Sequence, residues 1–238
     1  MTHPSPLPRK RVAHERGHAD HGWLDSSHSF SFANYYDPAH MGFRSLRVIN
    51  EDRVAPGRGF GTHPHRDMEI FSYVLSGALQ HRDSLGNERV LHPGQIQLMS
   101  AGRGVTHSEF NPNDSAGLHF LQIWIQPRER GLEPGYTEWL PQAEHESAPK
   151  VLLISPDGRD GSAIIQQDAE VYRLRLQPGE SVPHELRPGR GAWLQVAQGA
   201  LDFNGLALVA GDGASIESPG PLLFAASAPT EALLLDLN

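Results

Sequence analysis

The sequence predicts an all-β protein in two halves, and three observations predict it. Short runs that alternate polar and apolar residues recur along the chain, most clearly in Leu118 to Gln126, LHFLQIWIQ, the period of a strand with one buried face. The 24 glycines and 19 prolines are scattered rather than repeated, which supplies the turns that many short strands need. Between residues 127 and 150 the alternation lapses while charge and proline rise, and beyond it a fainter version of the first pattern returns. We therefore expect a first domain at residues 1–130, a linker at 131–150 and a second domain at 151–238.

In chain order, the proline-bearing start reads as extended, and Arg9-Lys10-Arg11 as a solvated flank. Glycines and Asp20 interrupt the spacing of His14, His18 and His21, which read as turn and surface residues. SHSFSF alternates and predicts a strand with a buried aromatic face; its rings, with Trp23, Tyr35 and Tyr36, are candidates for core or pocket wall. Phe43 to Asn50 is a further strand, and EDRVAPGRGFG a loop. Ile70 to Leu75, Ala78 to Asp83, Glu88 to His92 and Gln95 to Met99 are strands joined by turns at Ser76-Gly77, Leu85-Gly86-Asn87 and Pro93-Gly94. The second half carries strands at Val171 to Leu176, Ala192 to Val196, Gly199 to Phe203, Leu222 to Ala225 and Ala232 to Leu237.

Composition narrows the function. The chain has 238 residues, enough to bury a substantial core as one large or two small domains. A net charge of −8 argues against direct nucleic-acid binding, which needs clustered Lys and Arg. There is no cysteine, so disulfides and thiolate metal sites are excluded. The first residues are polar and no apolar run approaches membrane-spanning length, so the expectation is a cytoplasmic protein without a membrane partner.

The chemistry concentrates in two stretches, Gly57 to Gly77 and Gly94 to Asn111. The first carries His63 and His65, the second His107 and Glu109. Residues i and i+2 of a strand point to one face, so two such strands facing inward bring three imidazoles and a carboxylate together. That set suits one divalent first-row metal; imidazole favours Fe, Ni, Cu or Zn and the one hard oxygen ligand does not narrow the choice, so the expectation adopted is Fe(II), with Ni, Cu, Mn, Co or Zn also admitted. Four protein ligands leave positions for substrate or O₂ on a five- or six-coordinate ion. Phe60, Met68 and Phe110 neighbour these residues in sequence and are candidates for contact with a flat substrate.

The same residues carry a family resemblance. Gly57, His63-x-His65, Glu69 and Gly77 resemble the first cupin motif, and Gly94 through Gly102 to His107 and Asn111 the second. The departures are seven residues rather than six between Glu69 and Gly77, Ser100 in place of proline, and a lengthened Gly102–His107 spacing. THPHRDMEIFSYVLSGALQHRDSLGN and MSAGRGVTHSEFN, with the segment from Arg16 to Gly61, resemble the pirin branch of the cupins over most of residues 14–126. The resemblance implies a bicupin, two cupin-type β-barrels of the double-stranded β-helix or jelly-roll kind, the second without metal because only His184 remains of the ligand set. It implies His63, His65, His107 and Glu109 as ligands and assigns Glu69 to a supporting position, orienting a ligand histidine. It further implies quercetin 2,3-dioxygenase activity: ring opening of a flavonol by O₂ with release of CO, Glu109 taking the substrate's proton. The alternative it leaves open is a non-catalytic metal- or redox-sensing regulator that binds a protein partner.

Overall fold

The computed structural model describes residues 7–238. Residues 1–6, the part of the chain's start expected to be extended, lie outside them. The described chain is almost entirely β, with one short α-helix, Ala143–Ser147. It divides into two compact units, one of Gly17–Pro141 with Pro156–Asp168, the other of residues 7–16 with Gln142–Ser155 and Ala169–Asn238. None of the described helices is long and apolar enough to cross a membrane.

The first unit is built of two antiparallel sheets. The larger runs, in spatial order, Gly135–Trp139, Ile96–Ser100, Glu69–Ser76, Leu118–Ile125, Leu46–Val54, Leu24–His28 and Gly17–Asp20. The smaller runs Gly59–His65, Val105–Phe110, Leu79–Asp83 and Glu88–Leu91. Leu24, Val54, Val74, Leu118 and Phe120 of the larger sheet pack with Leu79 and Leu91 of the smaller in one buried cluster. The alternation read in the sequence thus points the even-numbered residues of Leu118–Ile125 between the sheets. This double-sheet arrangement is the bicupin architecture expected of each half.

The second unit repeats it. Arg9–Arg11, Gly213–Ile216, Gly191–Gln198, Thr230–Leu237, Ala169–Leu176 and Lys150–Ser155 form one sheet, and Ser181–Leu186, Gly220–Ala226, Ala200–Phe203 and Leu206–Val209 the other. Leu174, Leu194, Phe203, Phe224 and Leu234 are among the side chains buried between them. His184, the remnant histidine, faces Asp236 at 2.8 Å and the Lys150 amine at 2.9 Å, and Asp236 is also bonded by Arg190. These partners occupy the imidazole with a buried ion pair.

Four expectations about element position change. Arg9–Arg11 is not a solvated flank: it pairs antiparallel with Gly213–Ile216, Arg11 is buried, and Lys10 meets Asp212 at 2.7 Å. It therefore belongs with the second unit rather than with a domain of residues 1–130. The stretch expected as linker contains the strand Gly135–Trp139, paired with Ile96–Ser100 over five residues; its single buried anchor, Trp139, gives almost no alternation to read. Leu46–Val54 continues through the first four residues of the expected loop, because Glu51 and Asp52 are buried where apolar residues would have signalled a strand. The strand expected at SHSFSF begins earlier, at Leu24, and ends at His28.

Candidate metal centre

The smaller sheet of the first unit presents the histidines. His63 and His107 are direct cross-strand partners, and His65 lies two residues on from His63 on the same face. Gly59 lets the two strands approach: a Cβ there would stand 2.2 Å from the Glu109 carbonyl oxygen. The pairing slips by one residue between His107 and Glu109, a bulge that re-aims the side chains on either side of it. The ligand atoms of His63, His65 and His107 all lie within 4.8 Å of one another.

Hydrogen bonds fix where the lone pairs point. His63 Nδ1 lies 2.8 Å from the Gly61 carbonyl, so it carries the hydrogen and Nε2 the lone pair. His81, wholly buried on the neighbouring strand, places Nε2 3.2 Å from Asp83 and receives the Gln97 amide at Nδ1, 2.9 Å away. His107 Nδ1 lies 3.4 Å from that same His81 nitrogen and shares its one lone pair with the Gln97 amide as a longer, weaker second donor, which leaves the lone pair of His107 on Nε2. The two Nε2 atoms of His63 and His107 then stand 3.1 Å apart, lone pair to lone pair. Two imidazole nitrogens about 2.1 Å from a common ion stand about 3.0 Å apart at a right angle and about 3.4 Å apart at the tetrahedral angle. The donor set therefore fits a cation, and without one the facing lone pairs repel.

Electrostatics agree. Burial first, and then the neighbouring histidines, push His65 down to about 4 and His107 down to about 3. Both are neutral near pH 7, the form that binds metal. Glu109 is buried, with Oε2 3.9 Å from His107 Nε2, inside the roughly 4.2 Å that two ligands can span across one ion. Its oxygens accept from Ser72 at 2.9 Å and from Gln122 at 2.6 Å.

The centre opens into a cavity of about 590 Å³ within this unit. His63, His65 and Glu109 line it together with Trp23, Phe32, Tyr35, Phe60 and Trp124. Trp124 meets His65 edge-on at 4.8 Å, Phe32 meets Trp124 at 5.4 Å, and Trp23 meets Phe60 at 5.4 Å.

Of the three aromatic or sulfur side chains expected against a substrate, only Phe60 lines the cavity. Met68 packs instead against Ile70, Met99 and Val105, and Phe110 is 37% exposed, pointing away because alternation puts it opposite Glu109. Glu69 does not orient a histidine. It is an odd-numbered residue of Glu69–Ser76, on the opposite face from Ser72, and its carboxylate accepts from Ser100 at 2.7 Å and from the Gln166 backbone at 3.1 Å. The supporting residues that sequence reasoning missed are His81, Asp83, Gln97, Ser72 and Gln122. Gln122, a polar residue on the otherwise apolar Leu118, Phe120, Trp124 face, was the readable signal.

The family model described as Pirin matches residues 9–125, and the one described as Quercetinase C-terminal cupin domain matches residues 152–237. The chain belongs to the pirin family. A pirin relative from Escherichia coli K12 named quercetin 2,3-dioxygenase is 48% identical over 227 residues, 95% of this chain and 97% of that one. A pirin-like protein of Caulobacter vibrioides is 41% identical over 92% of this chain and 95% of its own. Among solved structures, the pirin YhhW of E. coli superposes with a TM-score of 0.94 at 47% identity, covering 98% of each chain. Its nickel(II) complex gives 0.90 at 47% identity, over 97% of this pirin and 99% of that chain.

Proposed function

We propose that this pirin is a metal-dependent dioxygenase that opens the central ring of a flavonol such as quercetin with O₂ and releases CO. The observation that carries the reading is the pair of Nε2 lone pairs 3.1 Å apart at the edge of an aromatic-walled cavity of about 590 Å³, a volume suited to a flat bicyclic substrate. The relative named quercetin 2,3-dioxygenase and the nickel complex of YhhW support it.

In this reading His63, His65, His107 and Glu109 hold one divalent ion, Fe(II) or Ni(II) foremost. A bound ion would supply Lewis acidity toward the substrate oxygen and a path for electron density toward O₂. The protein's own residues do the rest. Trp23, Phe32, Phe60 and Trp124 hold the ring system flat and exclude water. Glu109, already accepting from Ser72 and Gln122, keeps lone pairs available and takes the proton of the substrate's 3-hydroxyl. Its two neighbours hold the carboxylate fixed while the proton arrives, a preorganised arrangement that needs no reorientation at the moment of transfer.

The test is reconstitution of the purified protein without air, separately with Fe(II) and Ni(II), followed by quercetin and O₂, with metal content and CO recorded together. Stoichiometric CO supports the proposal. A protein that binds metal yet releases no CO with any flavonol overturns it.

A further inference from the structure

The larger sheet carries a row of polar residues straight across its inner face. His28 pairs with Asn50, Asn50 with Gln122, Gln122 with Ser72 and Ser72 with Gln97, on five neighbouring strands. Three of these support the metal centre: Gln97 bonds His81, while Ser72 and Gln122 bond Glu109. The row does not stop there. Asn50 lies one strand beyond Gln122 and His28 two, roughly 5 and 10 Å along the sheet. His28 Nδ1 meets Asn50 Oδ1 at 2.8 Å, and one register step on, Ser26 donates to Asp52 Oδ1. All four line the cavity.

Asp52 is the anomaly of this wall. It is 3% exposed, a placement that costs several kcal/mol for an unpaired carboxylate. The other buried acids nearby are taken up, Glu109 by Ser72 and Gln122, Glu69 by Ser100 and Gln166. Asp52 has one donor, Ser26, and among the described residues nothing bonds its second oxygen. Burial foremost, and beyond it the charge of Glu109, pushes its carboxyl up to about 7 against the pull of the Ser26 bond, so both protonation states are present near neutrality and it can give or accept a hydrogen bond.

We propose that Ser26, His28, Asn50 and Asp52 form a second recognition site in the cavity, taking phenolic hydroxyls on the ring that does not lie at the three histidines. The substrate class is thereby polyhydroxylated aromatics, a fused ring pair bearing an outer ring, rather than apolar ones. The inference rests on the aromatic-substrate reading above. It explains why a wall facing a cavity rich in aromatic rings is kept polar, and why one carboxyl oxygen on it has no partner among the described residues.

The test is binding, not turnover. Metal-loaded protein without O₂ is titrated by calorimetry with quercetin, whose outer ring carries two hydroxyls, and with galangin, the same skeleton with that ring bare. Wild type is expected to prefer quercetin by about tenfold or more, the value of one or two hydrogen bonds to a buried acid. Asp52→Leu, near-isosteric and apolar, should bring the ratio close to one at unchanged metal content. Asp52→Asn should recover a clear preference for quercetin. Asn50→Leu removes the other arm and serves if Asp52→Leu does not fold. A wild type that binds both flavonols equally or binds neither, or an Asp52→Leu protein that keeps the full ratio, overturns the inference. CO release from the same proteins, measured separately with O₂ supplied, separates the two readings. Turnover with an unchanged ratio in Asp52→Leu sinks this inference alone, and a collapsed ratio without turnover sinks only the dioxygenase.

Discussion

Replacing His81 tests whether the metal centre depends on a residue that offers no lone pair to the metal. In His81→Leu the side-chain volume is roughly kept while the acceptor for His107 Nδ1–H disappears. His107 is 1% exposed, so no water replaces that acceptor. A buried donor left without a partner costs about 1–3 kcal/mol, and the cost is avoided only by moving the hydrogen to Nε2, the nitrogen that faces His63. Either way the metal-binding tautomer is penalised. With about 1.4 kcal/mol for each tenfold, metal affinity should fall about 5- to 150-fold, which brackets the 10- to 100-fold typical of residues that orient a metal-ligating histidine. His81→Asn, whose amide oxygen can stand in for Nδ1, should recover part of the loss. The assay is competition with a chromophoric chelator for Ni(II), with thermal unfolding of the metal-free proteins measured alongside to separate a folding defect from a binding one. Affinity within threefold of wild type in a folded His81→Leu would refute the hydrogen-bond chain from Asp83 through His81 to His107.

Glu69→Gln supplies the contrast: its partners are Ser100 and the Gln166 backbone, so chelator competition should return wild-type metal affinity while the melting temperature drops by a few degrees. His63→Ala and His107→Ala should each lose bound metal by elemental analysis, whereas Glu109→Gln should retain most of it and lose CO release; equal turnover in Glu109→Gln would remove the carboxylate from proton transfer. Asp52 predicts a pH dependence of stability. Its folded carboxyl, raised to about 7 from 3.8, holds a proton that the unfolded chain releases, so stability falls as pH rises from about 4 through 7. Between pH 5 and 8 this amounts to on the order of 2 kcal/mol, and in Asp52→Asn that part of the pH dependence should vanish from denaturant melts of the metal-free protein.

Much of the centre was legible because strand geometry has a two-residue period. His63-x-His65 and His107-x-Glu109 needed only the assumption of two inward-facing strands, and the structure pairs His63 with His107 directly. What hid His81 is that its partner along the strand, Asp83, reads as one end of a hairpin, and Asp83 does serve the turn as well, accepting from the backbones of Leu85 and Asn87. Asp52 was hidden for the opposite reason. Polar residues in a run normally mark a loop, so a strand whose inner face is polar loses the signal that would announce it. Arg9–Arg11 illustrates a third limit: an edge strand whose partner is some 200 residues away in sequence has no local pattern to betray the pairing.

The division of labour between the two sheets argues that metal binding and substrate recognition can change separately. The smaller sheet carries the three imidazoles and the carboxylate, while the larger sheet contributes Ser72, Gln97 and Gln122, which hold those groups in place, and Asn50, Asp52, Ser26 and His28, which line the cavity farther along the sheet. Substitutions at Gln97 or Ser72 should therefore register in metal affinity whichever substrate is offered. Substitutions at Ser26, His28, Asn50 or Asp52 should register in the choice among substrates while the metal stays bound. In the second unit His184 is engaged on both ring nitrogens, by Asp236 at 2.8 Å and by the Lys150 amine at 2.9 Å. Freeing that histidine by Asp236→Asn would not restore a site, since one imidazole cannot hold a divalent ion against water without partners on a facing strand.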